Sequence, residues 1–190
     1  MERSREQSFV ASCQAGSLKD FDPLYSEYVK PIYGFLYRRA LNRQTAEDLT
    51  SIVFLKALEK ISQYSPAKGN FGAWLYSIAR NTLTDHYRAL RPHEDIESAW
   101  DLSSEENVPE GVADRLTFEK VKTALASLET SKREIVMMRI WEGLSYAEIA
   151  HITGKTENNC KVIFCRTIEQ LRKELPLAAL FLLICFPFSL

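Results

Sequence analysis

Apolar residues recur at three- and four-residue steps along most of this 190-residue chain, which is the spacing of a helix with one buried face. Leu24, Tyr28, Ile32 and Leu36 repeat every four residues behind Ser17 with Asp20, a capping-box pair, and behind Asp22-Pro23, a cap followed by a first-turn proline. Pro31 predicts a kink in that helix. Thr45 with Asp48 predicts the next helix start, with Leu49, Ile52, Val53, Ala57 and Ile61 as one inward stripe. Ser65-Pro66 and Gly69 mark a loop. From Phe71 a further helix carries Trp74, Leu75, Ile78 and Leu83 and ends before Arg91-Pro92. No run alternates with period two for long enough to predict a strand, so the first block reads as a helical bundle.

A second helical block begins near Asp114, with Leu116, Val121, Ala124, Leu125 and Leu128 on one side. Ser131 with Glu134 predicts a short helix that stops at Glu142-Gly143, and Ser145 with Glu148 a second that stops at Gly154. Thr156 then caps a long final helix. Two helices joined by a short turn containing glycine form a helix-turn-helix, although a generic helical hairpin fits the same pattern. At 100° per residue, Lys161, Val162, Cys165, Arg166, Glu169, Arg172 and Lys173 fall within about 80° of Asn158. Cys160, Phe164, Thr167 and Leu171 lie opposite, with Ile163 at the margin. The outward face thus offers four cations for phosphates and one amide for a base edge. A solvated amphipathic face would look the same, and Glu169 works against DNA.

Charge changes the picture only when taken by segment. The whole chain balances 24 Lys+Arg against 25 Asp+Glu, so no global basic field points to nucleic acid. Between residues 91 and 115, however, Arg91 and Arg115 face Glu94, Asp95, Glu97, Asp101, Glu105, Glu106, Glu110 and Asp114. Pro92, Pro109 and Gly111 complete a linker composition. The expectation is all-α: a helical domain over 1–90, an acidic flexible linker over 91–115, a helix-turn-helix domain over 116–175 and an apolar tail over 176–190. Cys13, Cys160, Cys165 and Cys185 have no CxxC spacing, which argues against a zinc site or a disulfide framework and for a reducing compartment. The opening MERSREQSFV lacks the apolar stretch of a secretory signal, so a cytoplasmic protein is expected. The tail run LAALFLLICF is shorter than the roughly 20 residues that span a bilayer, and packing on protein is favoured over membrane insertion. His86, His93 and His151 form no HExxH, and no GxSxG or phosphate loop occurs; neither an enzyme nor a bound metal or cofactor is expected.

The stretch AEDLTSIVFLKALEKISQYSPAKGNFGAWLYSIARNTLTDHYR, Ala46 to Arg88, resembles the second conserved region of bacterial sigma factors, nearest the extracytoplasmic-function (ECF) group of the sigma-70 family. LASLETSKREIVMMRIWEGLSYAEIAHITGKTENNCKVIFCRTIEQLRKEL resembles the fourth region of that group. The resemblance implies a factor that directs core RNA polymerase to promoters and starts DNA-templated transcription under an anti-sigma factor, as a monomer. Any membrane contact would be indirect, through that partner.

The resemblance also assigns roles by position. The AEDL helix would dock on the largest catalytic subunit of the polymerase, through Glu47, Asp48, Ser51, Phe54, Leu55 and Lys56. Mixed acidic and apolar character suits a basic helical partner, while Glu47 and Asp48 would also support a helix N-terminus in any protein. Tyr64 to Arg88 would read the −10 element and hold a flipped base, with Tyr64, Lys68, Asn70, Phe71, Arg80, Asn81, Asp85 and Arg88 as the expected contacts. Phe71 and Trp74 sit at helical spacing and are more often core. The −35 element would meet Thr156, Glu157, Asn158, Lys161, Arg166 and Arg172. Many family members carry arginine where Ile163 and Ile168 stand, and Ile168 is expected near the DNA-facing edge, so a weaker phosphate grip follows. The acidic linker would thread a cationic channel of the polymerase or serve as a solvated tether. The rival is a stand-alone helix-turn-helix repressor or activator, which would leave AEDL and FGAWLYSIARN without a task and would need a dimer to span two half-sites.

Overall fold

The computed structural model describes residues 2–40, 42–90, 115–177, 179 and 183. The expected linker and most of the expected tail lie outside the described residues. The chain divides into two units, Met1–Leu90 and Arg91–Leu190. It is all-α, with no strand among the described residues.

Four helices build the first unit: α1 (Arg3–Gln14), α2 (Phe21–Ala40), α3 (Arg43–Lys60) and α4 (Phe71–Leu90). The α1 helix turns only Glu6, Val10 and Cys13 inward. It ends in a Schellman motif: Gly16 adopts φ 101°, the Ser17 N–H donates to the Ser12 carbonyl and the Gly16 N–H to the Cys13 carbonyl. Ser17 makes no side-chain cap; a single 3-10 turn, Leu18–Asp20, leads into α2 instead. Asn42, rather than Thr45, caps α3 by accepting from the Thr45 N–H at 2.9 Å. The core is formed by Leu24, Ile32, Phe35 and Leu36 of α2, Leu49 and Val53 of α3, and Phe71, Leu75 and Leu83 of α4. Arg39 is buried with its guanidinium 3.6 Å over the Phe35 ring, and its carbonyl accepts from the Tyr87 hydroxyl at 3.0 Å, tying the ends of α2 and α4. Ile52, expected on the inward stripe of α3, is instead 41 % exposed.

The second unit contains α5 (Arg115–Ala126), α6 (Thr130–Ile140), α7 (Tyr146–Thr153) and α8 (Glu157–Glu174). Glu129, not Ser131, is the cap position of α6. Val121, Leu125, Leu128, Val136, Leu171 and Leu175 share one apolar cluster with Ala179 and Leu183. The described tail residues Ala179 and Leu183 therefore pack on protein, and the Leu183 carbonyl accepts from Trp141 Nε1 at 3.1 Å. No helix among the described residues is long and apolar enough to cross a membrane.

Candidate nucleic-acid and protein interfaces

Along α3 the exposed strip is acidic at its start and apolar further on. Glu47 pairs with Arg43 at 2.8 Å, Asp48 accepts from Gln44 Nε2 at 3.2 Å, and the Ser51 hydroxyl donates to the Glu47 carbonyl. Ile52 and Leu55 follow, Leu55 being 59 % exposed. Glu47, Asp48, Ser51 and Leu55 thus share one accessible face. Phe54 does not join them: it is 5 % exposed, with its ring edge-on to Tyr25 and Phe21 at centroid distances of 4.7 and 6.4 Å. Helical geometry forces this, because Phe54 follows Thr50 by four residues and shares its buried side. Lys56 is half-buried and turned to α4, where it donates to the Thr82 hydroxyl at 3.2 Å and pairs with Asp85 at 3.7 Å.

The loop between α3 and α4 is held by its own side chains. Tyr64 is buried and its hydroxyl donates to the Gly69 carbonyl at 3.0 Å. Gly69 has φ 143°, a conformation that favours glycine. Asn70, expected as a −10 contact, places its Oδ1 on the Ala73 N–H at 2.7 Å and so caps α4. Phe71 is buried, which removes it from the expected stacking surface. It packs in one aromatic cluster with Tyr64 and the half-buried Trp74, at centroid distances of 5.4 to 5.6 Å. Burial raises the Tyr64 phenol above its ordinary range, with Glu6 adding to the rise and Arg3 opposing it. Asn81, Asp85 and Arg88 form the exposed stripe on α4, with Arg80 half-buried beside it. Of Lys68 only the backbone is described, in the 3-10 turn Pro66–Lys68.

The helix-turn-helix forms as its caps direct. Ser145 Oγ accepts from the Glu148 N–H at 3.3 Å while Glu148 Oε2 accepts from the Ser145 N–H at 2.6 Å, a complete capping box. Gly154 at φ 69° ends α7, and Thr156 Oγ1 accepts from the Asn159 N–H at 3.2 Å to start α8. Arg139 donates to the Leu144 carbonyl at 2.8 Å and lies over the Tyr146 ring, bracing the turn before α7. On α8, Cys160, Thr167 and Leu171 are buried, and Phe164 meets Tyr146 edge-on at 5.8 Å. Thr156, Glu157, Asn158, Lys161, Arg166 and Arg172 are all exposed, with Lys173 extending the row. Ile168 packs against the apolar cluster rather than at the outer edge, so a phosphate contact missing there does not follow. No group of three His, Cys, Asp or Glu among the described residues could hold a metal ion.

Geometry thus leaves two surfaces on the first unit, acidic-apolar on α3 and polar with aromatic backing on α4, and one cationic helix face on the second. The family model for Sigma-70 region 2 matches residues 24–92, and that for Sigma-70 region 4 matches residues 118–171. The ECF RNA polymerase sigma factor BldN of Streptomyces coelicolor is 35 % identical over 176 residues, covering 91 % of this chain and 67 % of its own. The ECF RNA polymerase sigma factor SigM of Bacillus subtilis is 27 % identical over 152 residues, covering 80 % and 92 %. Among solved structures, the sigma factor RpoE in complex with the anti-sigma factor NepR, from Bartonella quintana, shares the fold with a TM-score of 0.66 at 24 % identity, covering 82 % of this chain and 96 % of that one.

Proposed function

Because this chain belongs to the ECF group of the sigma-70 family, we infer that it recruits core RNA polymerase to promoter DNA in the cytoplasm and leaves the chemistry of RNA synthesis to the polymerase. The observation that carries this reading is the placement of both sigma regions on separate units, each with an accessible face of the right chemistry. The α3 strip of Glu47, Asp48, Ser51 and Leu55 is the surface for the polymerase. Complementary charge sets its register and the exposed leucine anchors it. The α4 stripe of Asn81 and Arg88, with Arg80 and Trp74 beside it, meets the opened −10 strand, where cations follow the backbone and an aromatic face can stack a base. The α8 face meets the −35 duplex: Asn158 reaches a base edge, while Lys161, Arg166 and Arg172 bind phosphates. Residues 1–90 then form the −10 and polymerase domain, 116–175 the −35 domain, and 91–115 the link between them.

Regulation by an anti-sigma factor fits the same surfaces, since a protein that covers the α3 strip competes directly with the polymerase. In vitro transcription tests the reading: core polymerase supplemented with this protein starts transcripts at discrete sites on genomic DNA and core alone does not. Supplemented core that starts at no discrete site contradicts it.

A further inference from the structure

We propose that Gln14, the last residue of α1, is a positioning residue for the −10-reading segment; this rests on the reading of the first unit given above. The α1 helix precedes the residues matched by Sigma-70 region 2, yet it is fastened to both ends of the loop that leads into α4. Gln14 Nε2 donates to the Ile61 carbonyl and to the Tyr64 carbonyl, both at 2.9 Å. A side-chain amide carries two N–H donors, and here both are spent on one short stretch of main chain. Those two carbonyls bracket the 3-10 turn Ile61–Gln63 that closes α3. Tyr64 in turn fixes the far side of the loop through its hydroxyl on the Gly69 carbonyl.

A second fastening reaches the start of α4. Glu6, buried on the inward face of α1, accepts from the Tyr28 hydroxyl. The Tyr28 ring lies 5.6 Å from that of Phe71 and fills the space beside Gly72, where a Cβ would stand 3.0 Å from it. The loop is therefore held at Ile61 and Tyr64 by Gln14 and at Phe71 and Gly72 by way of Glu6 and Tyr28. Gln14 meets the expected −10 contacts only at the main chain of Tyr64, whose ring packs against Trp74, and it acts through that carbonyl. A surface that captures unstacked bases gains affinity and selectivity from being held in place beforehand.

The test uses holoenzyme assembled from core polymerase and the full chain on a promoter library randomised separately at −10 and −35, with templates sequenced from the transcripts. Gln14 is otherwise exposed, so Gln14→Leu leaves the apolar core in place. Losing two hydrogen bonds to the loop lowers enrichment of the preferred −10 sequence about tenfold. Enrichment at −35 and affinity for core polymerase stay at wild-type values. Gln14→Lys, which keeps a donor at that place, restores most of the −10 preference. A purely structural role would lower the active fraction and total output while leaving both sequence preferences unchanged, and that result overturns the proposal. Equal loss at −10 and −35 overturns it as well. Wild-type holoenzyme that starts no transcript from any library member overturns the sigma-factor reading beneath it.

Discussion

Phe54 and Leu55 are adjacent in sequence and opposite in role. Both were expected on the polymerase-docking face; Phe54 is 5 % exposed against Tyr25 and Phe21, whereas Leu55 is 59 % exposed. Truncating a buried phenylalanine removes its transfer free energy and leaves a cavity, together about 3–5 kcal/mol. In a unit of this size about 1 kcal/mol moves Tm by roughly 4–8 °C, so Phe54→Ala lowers the melting point of the first unit by at least about 12 °C. Leu55→Ala, on the surface, changes stability by less than about 0.5 kcal/mol. Its cost falls on binding: loss of an apolar anchor weakens the complex with core polymerase by about 1–2 kcal/mol, roughly 5- to 30-fold. The two effects separate in a Trp100→Phe/Trp141→Phe background, where Trp74 alone reports the melting of the first unit and polymerase affinity is titrated well below the Phe54→Ala melting point. A Phe54→Ala protein that melts within about 2 °C of its parent, or a Leu55→Ala protein that melts more than 10 °C early, would refute the assigned orientation of α3.

Three further outcomes are expected. Ser145→Ala removes half of the capping box of α7 and costs the second unit about 1 kcal/mol, read as an earlier thermal transition. If Lys161 and Arg166 hold phosphates and not bases, as proposed, Lys161→Ala and Arg166→Ala weaken holoenzyme binding to different promoters to the same extent and each reduces the slope of log K against log salt by about 1. The Tyr28 phenol is raised, first by burial and then by its hydrogen bond to Glu6, so the folded state favours the protonated form. Its contribution is complete below the unfolded value of about 10 and is lost as pH rises above it. The urea midpoint of the first unit therefore falls between pH 9 and pH 11, and falls less steeply in Tyr28→Phe.

Legibility in the sequence followed how local each signal was. Ser145 with Glu148, Gly154 and Thr156 act within one helical turn, and each does what its spacing predicts. The opposing faces of α8 also follow from periodicity, because its apolar positions are few and confined to one arc. On α3 the apolar residues run nearly all round, from Leu49 through Ile52, Val53, Phe54 and Leu55 to Ala57. Which arc turns inward there is decided by Phe21 and Tyr25 on another helix, and periodicity carries no record of them. Apolar periodicity does not mark α1, whose buried face consists of Glu6, Val10 and Cys13. Its glutamate accepts from the Tyr28 hydroxyl, twenty-two residues on. Asn70 fits both base recognition and capping, and from its position just ahead of α4 its Oδ1 makes the cap. Ile168 lay at the edge of the predicted arc, and packing against the apolar cluster draws it inward.

The central claim is that the exposed strip of α3 brings this chain to core RNA polymerase. Size-exclusion chromatography of core polymerase with wild-type protein and with Glu47→Lys/Asp48→Lys tests it most directly. Both carboxylates lie at the surface and neither belongs to the apolar core, so the double variant folds. Wild-type protein co-eluting with the polymerase, and the variant eluting alone as a monomer, is the expected result. Wild-type protein that ignores core polymerase and elutes as a DNA-binding dimer would contradict the account.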